Sequence, residues 1–203
     1  MTMNKEITAI ILAGGKSKRM GSDKSLLKLG GKTLIEHVVD AVRPYVNSVL
    51  IVTNNEEKYH FINNVSYVPD IEENQGPFIG LISGIKSIDT KWCFVTSCDM
   101  PLLDGGIIDF LWKRKNGYIV SPVSINGYEP LISLYSKDIL SYAEDQMSDN
   151  MRSINRFIAT MEKLGYVEKI EKHILQDRFG EKVFLNINDY ENYLRLIEVF
   201  NDR

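Results

Sequence analysis

The stretch Ile10-Ile11-Leu12-Ala13-Gly14-Gly15-Lys16-Ser17-Lys18-Arg19-Met20-Gly21-Ser22-Asp23-Lys24 runs from apolar residues into a glycine pair and then into cations. Thr8 to Leu12 has the short apolar character of a buried parallel strand. Gly14 and Gly15 can adopt backbone angles that a side chain forbids, so backbone N–H groups can face a ligand. Between positions 16 and 28 the basic residues Lys16, Lys18, Arg19, Lys24 and Lys28 stand against one acid, Asp23. The pattern predicts a strand emptying into a phosphate-binding loop, a local positive island suited to a small polyanion such as a nucleoside triphosphate. A glycine turn followed by a solvated basic face is the plain alternative.

The island sits on an acidic chain. Over 203 residues the formal net charge is -3, with a pI near 5.7, which disfavours nucleic acid or an anionic membrane as partner. Hydrophobic residues make up 44% and charged residues 25%, the balance of a globular protein able to bury one substantial core. No apolar run reaches membrane-span length, and MTMNKEITAI leads straight into the first strand without a signal-like segment. A cytoplasmic location is expected. Cys93 and Cys98 have neither CxxC nor paired-ligand spacing, and His37, His60 and His173 are scattered, so buried reduced thiols are expected and a structural zinc site is not.

Beyond the loop, Leu34, Ile35, Val38, Val39, Ala41 and Val42 recur at helical spacing behind Thr33, a plausible N-cap, with Pro44 just past the end. Val49-Leu50-Ile51-Val52 is strand-like, so residues 7–53 read as a βαβ unit with ligands gathering at its strand ends. A second cycle runs from Val65–Val68 through Pro69-Asp70 to a helix opened by Gly76-Pro77 and on to the strand Trp92–Thr96. Leu103 to Lys115 reads as a helix. Tyr118–Val120 and Leu131–Tyr135 read as strands about a turn at Asn126-Gly127, with mixed strand directions. Positions 151–164 and 189–200 read as amphipathic helices, the last capped by Asn188 or Asp189. One α/β domain, 1–203, follows, with a nucleotide-binding half over about 1–103 and an acceptor-binding half over about 104–203.

Asp99 is the strongest catalytic and metal candidate. A carboxylate at a strand tip suits magnesium, which takes one or two carboxylates and completes its shell with substrate phosphates; capping of the following helix is the competing reading. The glycine-basic loop favours the metal. Lys24 and Arg19 are the candidate triphosphate ligands, one a compact charge and the other a fork for two oxygens. Lys24 ranks first because Ser25-Leu26-Leu27 must turn inward and so direct its stem. Asp70, followed by Glu72 and Glu73, makes a negative loop that could meet nucleotide or metal, or be solvated surface.

Leu12 to Leu27 matches LAGGxSxRMGxDKxLL at every fixed position, and on this motif the chain resembles the molybdenum cofactor guanylyltransferases. Asp70 with the GPxxGLxxG segment Gly76–Gly84, CDMPLL at 98–103, EPLISLY at 129–135 and FLNIND at 184–189 extend the resemblance over nearly the whole chain. It implies a three-layer αβα Rossmann-like fold with a mostly parallel, mixed sheet. The activity it implies is transfer of GMP from GTP to the terminal phosphate of molybdopterin, with Mg2+ as cofactor. The implied nucleotide contacts are Leu12, Ala13, Gly14, Gly15, Lys24, Asn54, Asp70, Gly80 and Asp99, joined by Asn186 and Asn188 of the closing NxN; Lys24, Arg19 and Asp99 carry the chemistry. Asn186 and Asn188 also suit turn and cap chemistry, and the Glu129-Pro130 strand is similar to the family's pterin-side wall.

Two other readings fit part of the pattern. A CTP-dependent cytidylyltransferase on this or another phosphorylated acceptor is one, although such relatives read LAAG where this chain has Leu12-Ala13-Gly14-Gly15. A GTP-binding sensor or carrier is the other, and it has no evident use for Asp99. Expected partners are GTP and molybdopterin as substrates and transient contacts with proteins that deliver or accept the cofactor, in a monomer or weak homo-oligomer.

Overall fold

The computed structural model describes residues 3–14, 23–72, 76–148, 152–187 and 189–201. The strands among these residues are β1 (Asn4–Leu12), β2 (Lys28–Leu29), β3 (Lys32–Thr33), β4 (Val46–Val52), β5 (Ser66–Val68), β6 (Trp92–Ser97), β7 (Ile119–Ser124), β8 (Gly127–Tyr128), β9 (Ser133–Ser136) and β10 (Val167–Glu171). The α-helices are α1 (Leu34–Val42), α2 (Pro77–Ser87), α3 (Gly106–Trp112), α4 (Leu140–Ser148), α5 (Ile154–Lys163), α6 (Lys172–Phe179) and α7 (Tyr190–Asn201).

The main sheet has the order β10-β7-β9-β6-β1-β4-β5, with β8 paired to β7. β1 is parallel to both β4 and β6, and β5 is parallel to β4. β9 runs antiparallel to β6 and to β7, and β10 is parallel to β7, so β9 and the short β8 alone oppose the common direction. Side chains alternate across β1, and each set buries against a different layer. Ile7, Ala9 and Ile11 pack with α1, α3 and α6 residues such as Val38, Ile108 and Leu175. Ile10 and Leu12 pack on the opposite face with Phe78, Leu81 and Ile85 of α2 and Phe157 of α5. The result is the three-layer mixed sheet expected. A third cluster, Leu29, Leu34, Leu102, Ile187 and Leu196, fastens α7 against the β2–β3 hairpin and the segment after β6.

Local chemistry accounts for the element ends. Thr33 Oγ1 accepts from the Glu36 amide and Glu36 returns a carboxylate to the Thr33 amide, a capping box that holds the Glu36 carboxyl below its usual range. Pro77 opens α2, and Asp189 caps α7 by accepting from the Asn192 amide at 2.8 Å. Two expectations need correction. The helix placed at Leu103 begins only at Gly106, because Met100–Leu103 forms its own turn and Asp104 Oδ1 takes the Gly106 amide. Glu129 and Pro130 lie between β8 and β9 and not in a strand. The elements β10, α4 and α6 had no expected counterpart; β10 is an edge strand whose sequence VEKIE buries only Ile170.

α2 lies tight on β1. A Cβ at Gly84 would stand 2.7 Å from Ile10 Cγ2 and 2.9 Å from Ile10 Cδ1. The stiff β-branched Ile10 is held in the sheet and cannot yield cheaply. Alanine in a helix is intrinsically better than glycine by about 1 kcal/mol, and overpacking typically costs about 1–3 kcal/mol. Gly84→Ala is therefore expected to lower unfolding free energy in a urea titration; a stabilised variant would refute the close-packing account.

Candidate functional site

The sheet reverses its order of strand addition at β1. From β1 the chain adds β4 and β5 on one side, then crosses back through α2 to place β6 on the other. Such a reversal opens a crevice outside the carboxyl ends of the strands. Here the carboxyl ends carry the sequence motifs. Ala13 N donates to Val52 O and Cys98 N to Leu12 O, so the three strands stay bonded to their tips. Gly14 follows one tip and Asp99 another.

The opposite end of the glycine-basic segment returns to the crevice. Asp23 caps a single 3-10 turn over Lys24–Leu26, and Ser25 is buried within it. Lys24 Nζ consequently reaches Asp99 Oδ2 at 3.0 Å and the Ile187 carbonyl at 2.9 Å. Ser97 Oγ donates to Asp99 Oδ1 at 2.6 Å, and the Ile187 amide donates to Asp99 O at 3.0 Å. The Lys24 and Asp99 side chains are 23% and 13% exposed, so the ion pair is shielded yet reachable. Asp99 does not cap the following helix, whose N-cap is Gly105 and whose first amide, Gly106 N, goes to Asp104 Oδ1.

Asp70 forms a second wall. A Cβ at Gly14 would meet Asp70 Oδ2 at 3.4 Å and one at Gly80 would meet Asp70 Oδ1 at 3.2 Å, so the carboxylate lies between the first loop and α2. Leu12 fills the space beside Gly80. Asn54 Oδ1 accepts from the Asp70 amide at 2.8 Å, which sets the register of the Asn54-Asn55 pair: Asn54 faces the Asp70 loop, and the Asn55 amide turns back to Thr53 Oγ1. Ser83 Oγ, accepting from Ile71 N at 3.0 Å and donating to Ile79 O, ties that loop to α2. Glu72 is engaged by Arg152 at 3.3 Å.

Leu12, Ala13, Gly14, Asn54, Asp70 and Gly80 thus line one side of the crevice while Lys24 and Asp99 meet at its centre. Asn186 is exposed, one residue before the anchored Ile187. Gly15, Arg19 and Asn188 lie outside the described residues. Cys93 is buried and Cys98 half-buried; both thiols are free, and burial pushes both up, so neither is a ready nucleophile.

Three features lay outside the sequence reading. Ile187 contributes only its backbone, which no residue pattern announces. Lys172, the first residue of α6, donates to Glu129 Oε1 at 2.6 Å and lies over the Phe184 ring, a charge pair just past the end of β10. Tyr59, buried after β4, bonds Ser25 at 2.9 Å, and Ser25 Oγ donates on to Asp23 Oδ1 at 2.7 Å. Burial would raise the Asp23 carboxyl, but Lys58 at 2.9 Å and the Ser25 hydroxyl and amide hold it below its usual range.

Among the described residues no three of His, Cys, Asp and Glu converge as a metal cluster. Asp99 offers one carboxylate with its oxygens oriented by Ser97 and Lys24. That donor set is too sparse for a metal held by protein alone, and it fits magnesium, which completes its shell with phosphate oxygens and water.

Comparison with known proteins agrees with this architecture. The model of the MobA-like NTP transferase domain matches residues 9–164. The chain is 34% identical over 197 residues, 96% of its own length and 97% of the relative's, to the probable molybdenum cofactor guanylyltransferase of Carboxydothermus hydrogenoformans. It is 27% identical over 198 residues, 95% of each chain, to the molybdenum cofactor guanylyltransferase of Serratia proteamaculans. In fold it matches the molybdopterin-guanine dinucleotide biosynthesis protein A of Archaeoglobus fulgidus with a TM-score of 0.81 at 20% identity, covering 97% of this chain and 100% of that one. With the family model spanning most of its length and the crevice built from the motif residues, the chain belongs to the MobA-like nucleotidyltransferases, in the company of the molybdenum cofactor guanylyltransferases.

Proposed function

We propose that this chain transfers the guanylyl group of GTP to the terminal phosphate of molybdopterin, releasing pyrophosphate and forming a dinucleotide. The observation that carries the reading is the meeting of Lys24 with Asp99 at 3.0 Å in the crevice between β1 and β6. A pure nucleotide binder needs the loop but not a shielded carboxylate beside its cation. A phosphate oxygen of the acceptor attacks the α-phosphorus of GTP, the bond to the bridging oxygen breaks, and the electron pair leaves on pyrophosphate. The acceptor is already an anion, so no side chain has to remove a proton; the work is to bring two anions together in line and balance charge on the leaving group.

Lys24, the glycine amides and Arg19 supply positive charge on the leaving side. Asp99 would hold Mg2+, whose contribution is to neutralise phosphate charge and fix phosphate orientation. To do both, the Lys24 ammonium exchanges its bond to Asp99 for phosphate oxygens. Asn54 presents the Asp70 loop, and that loop with Gly14 and Gly80 forms the nucleotide side of the crevice. Asn186 precedes the Ile187 anchor on the C-terminal side of the crevice, and the resemblance implies a nucleotide contact for it and for Asn188. Glu129 and Lys172 stand toward the acceptor half. No helix among the described residues is long and apolar enough to cross a membrane.

Incubating the protein with Mg2+, molybdopterin and each of GTP, CTP and ATP, with mass detection of the dinucleotide, tests the reading. GTP should be preferred, because a site paired to the guanine edge penalises bases that leave its polar groups unmatched. Gly15→Ala should erode GTP turnover; preference for CTP, or an unchanged rate in this variant, replaces the guanylyl reading with a cytidylyl one. Asp99→Ala and Asp99→Asn should both come close to abolishing product while retaining the fold by circular dichroism, since asparagine keeps the shape but not the charge. Lys24→Ala should lower kcat on the order of a hundredfold, the usual loss for one preorganised contact to developing charge. Lys16→Ala should cost far less, and equal effects would show the loop to act only as a diffuse positive field.

A further inference from the structure

We infer that Tyr59 is a positioning residue for the triphosphate, its hydroxyl holding Ser25 and so aiming Lys24; the inference deepens the nucleotidyl-transfer reading and rests on it. Tyr59 ends a 3-10 turn, Glu56–Tyr59, just after β4, and is 1% exposed. Its hydroxyl is 2.9 Å from Ser25 Oγ, at the far end of the loop, and 3.5 Å from the carbonyl of Ala13, at the near end. The hydroxyl has one proton, so the shorter contact, to Ser25, is its hydrogen bond and the Ala13 carbonyl is a neighbour. The turn that carries the tyrosine is itself pinned, since Tyr67 Oη donates to the Tyr59 backbone carbonyl at 2.7 Å.

Proton count gives the Ser25 contact a direction. The Ser25 hydroxyl spends its proton on the Asp23 carboxylate at 2.7 Å, so toward Tyr59 it is an acceptor, and the Tyr59 hydroxyl is the donor. The chain runs from Tyr59 to Ser25 to Asp23, where Lys58 donates to the other carboxylate oxygen at 2.9 Å. A run of this kind, buried at one end and closed on a charge pair at the other, has one arrangement of its hydrogens and resists rotation of any member. Burial pushes the Tyr59 phenol up, which keeps it a donor throughout the working range.

Ser25 follows Lys24 within one 3-10 turn, so fixing the serine fixes the direction in which the lysine stem leaves the backbone. The ammonium then reaches Asp99 across a sequence separation of 75 residues. At 1% exposure Tyr59 offers almost no surface to a ligand, and its role is positioning, not catalysis. Its contribution is preorganisation of the phosphate-binding cation, a cost that binding would otherwise bear. The effect should therefore fall on nucleotide affinity, and equally on any triphosphate base.

The test is Tyr59→Phe, which keeps the buried ring and removes one hydroxyl, followed by steady-state kinetics and direct binding of GTP, CTP and ATP with Mg2+. KM and Kd for the preferred nucleotide should rise about five- to tenfold, the fold-change of one ordinary net hydrogen bond, with kcat at saturation within about twofold. Ser25→Ala should reproduce the effect, and the double variant should be no worse than either single one. A purely structural tyrosine would instead lower Tm and active fraction, and so apparent kcat, with KM unmoved. That result, or a KM and Kd within twofold of wild type, overturns the inference, as does additivity in the double variant. Should Tyr59→Phe fail to fold, Ser25→Ala carries the same readout. If wild type prefers CTP, the guanylyl reading fails while the positioning role is still read on CTP; if it binds none of the three, both fail.

Discussion

The Lys24 ammonium is the point on which the crevice depends. It joins the end of the glycine-basic loop, the tip of β6 and the segment before α7, through Asp99 Oδ2 and the Ile187 carbonyl. Each partner is otherwise expensive to shield: a carboxylate and a peptide carbonyl lose water there, and only a cation with several donors can serve both. Ser97 takes the other carboxylate oxygen, and the Ile187 amide closes the ring onto Asp99 O. Low local dielectric strengthens such a set when complete and penalises it when broken. The same shielding makes a cation of this kind effective toward phosphate charge when it changes partner.

The crevice exists because two layers approach one another closely. Gly80 and Gly84 are four residues apart and so share one face of α2. That face lies on β1, where Leu12 and Ile10 occupy the volume that side chains on the helix would fill. The closeness brings the Asp70 carboxylate between Gly14 and Gly80, and Asn54 and Ser83 hold the backbone on either side of it. Packing and site geometry are one arrangement here. α7 has a comparable task at the other side, where Leu196 and Ile187 pack with Leu29, Leu34 and Leu102 and so bring the C-terminal segment to the strand tip.

The local code was clear wherever short-range chemistry dominates. Thr33 announced a helix N-cap, Pro77 a helix start, and the apolar runs of β1, β4 and β6 were buried strands because both sheet faces are covered. It failed where tertiary partners override it. Leu103 to Lys115 has helical composition, yet the helix waits for Gly106, since Gly105 lies against the Ala41 carbonyl and the Tyr45 ring, and the Asp104 side chain takes the Gly106 amide in the turn before it. β10 is written VEKIE and takes strand form by pairing with β7 at the sheet edge.

For the site, the chain's own residues determined the loop, the strand-tip carboxylate and the glycine pattern of α2, because strands, turns and close approaches each impose a residue type at a short, fixed spacing. They also determined the charges available to a triphosphate. Only the tertiary structure decided that Lys24 and Asp99 are one ion pair, that Asn54 and not Asn55 faces Asp70, and that Ile187 joins by its backbone. The same is true of Tyr59, a tyrosine in the plain polar run Glu56-Glu57-Lys58-Tyr59-His60, whose place beneath Ser25 comes from the turn after β4. The reason is common to all four: contacts between residues far apart in the chain depend on strand order and on which layer each element covers, and those follow from burial of the whole core, not from any local pattern.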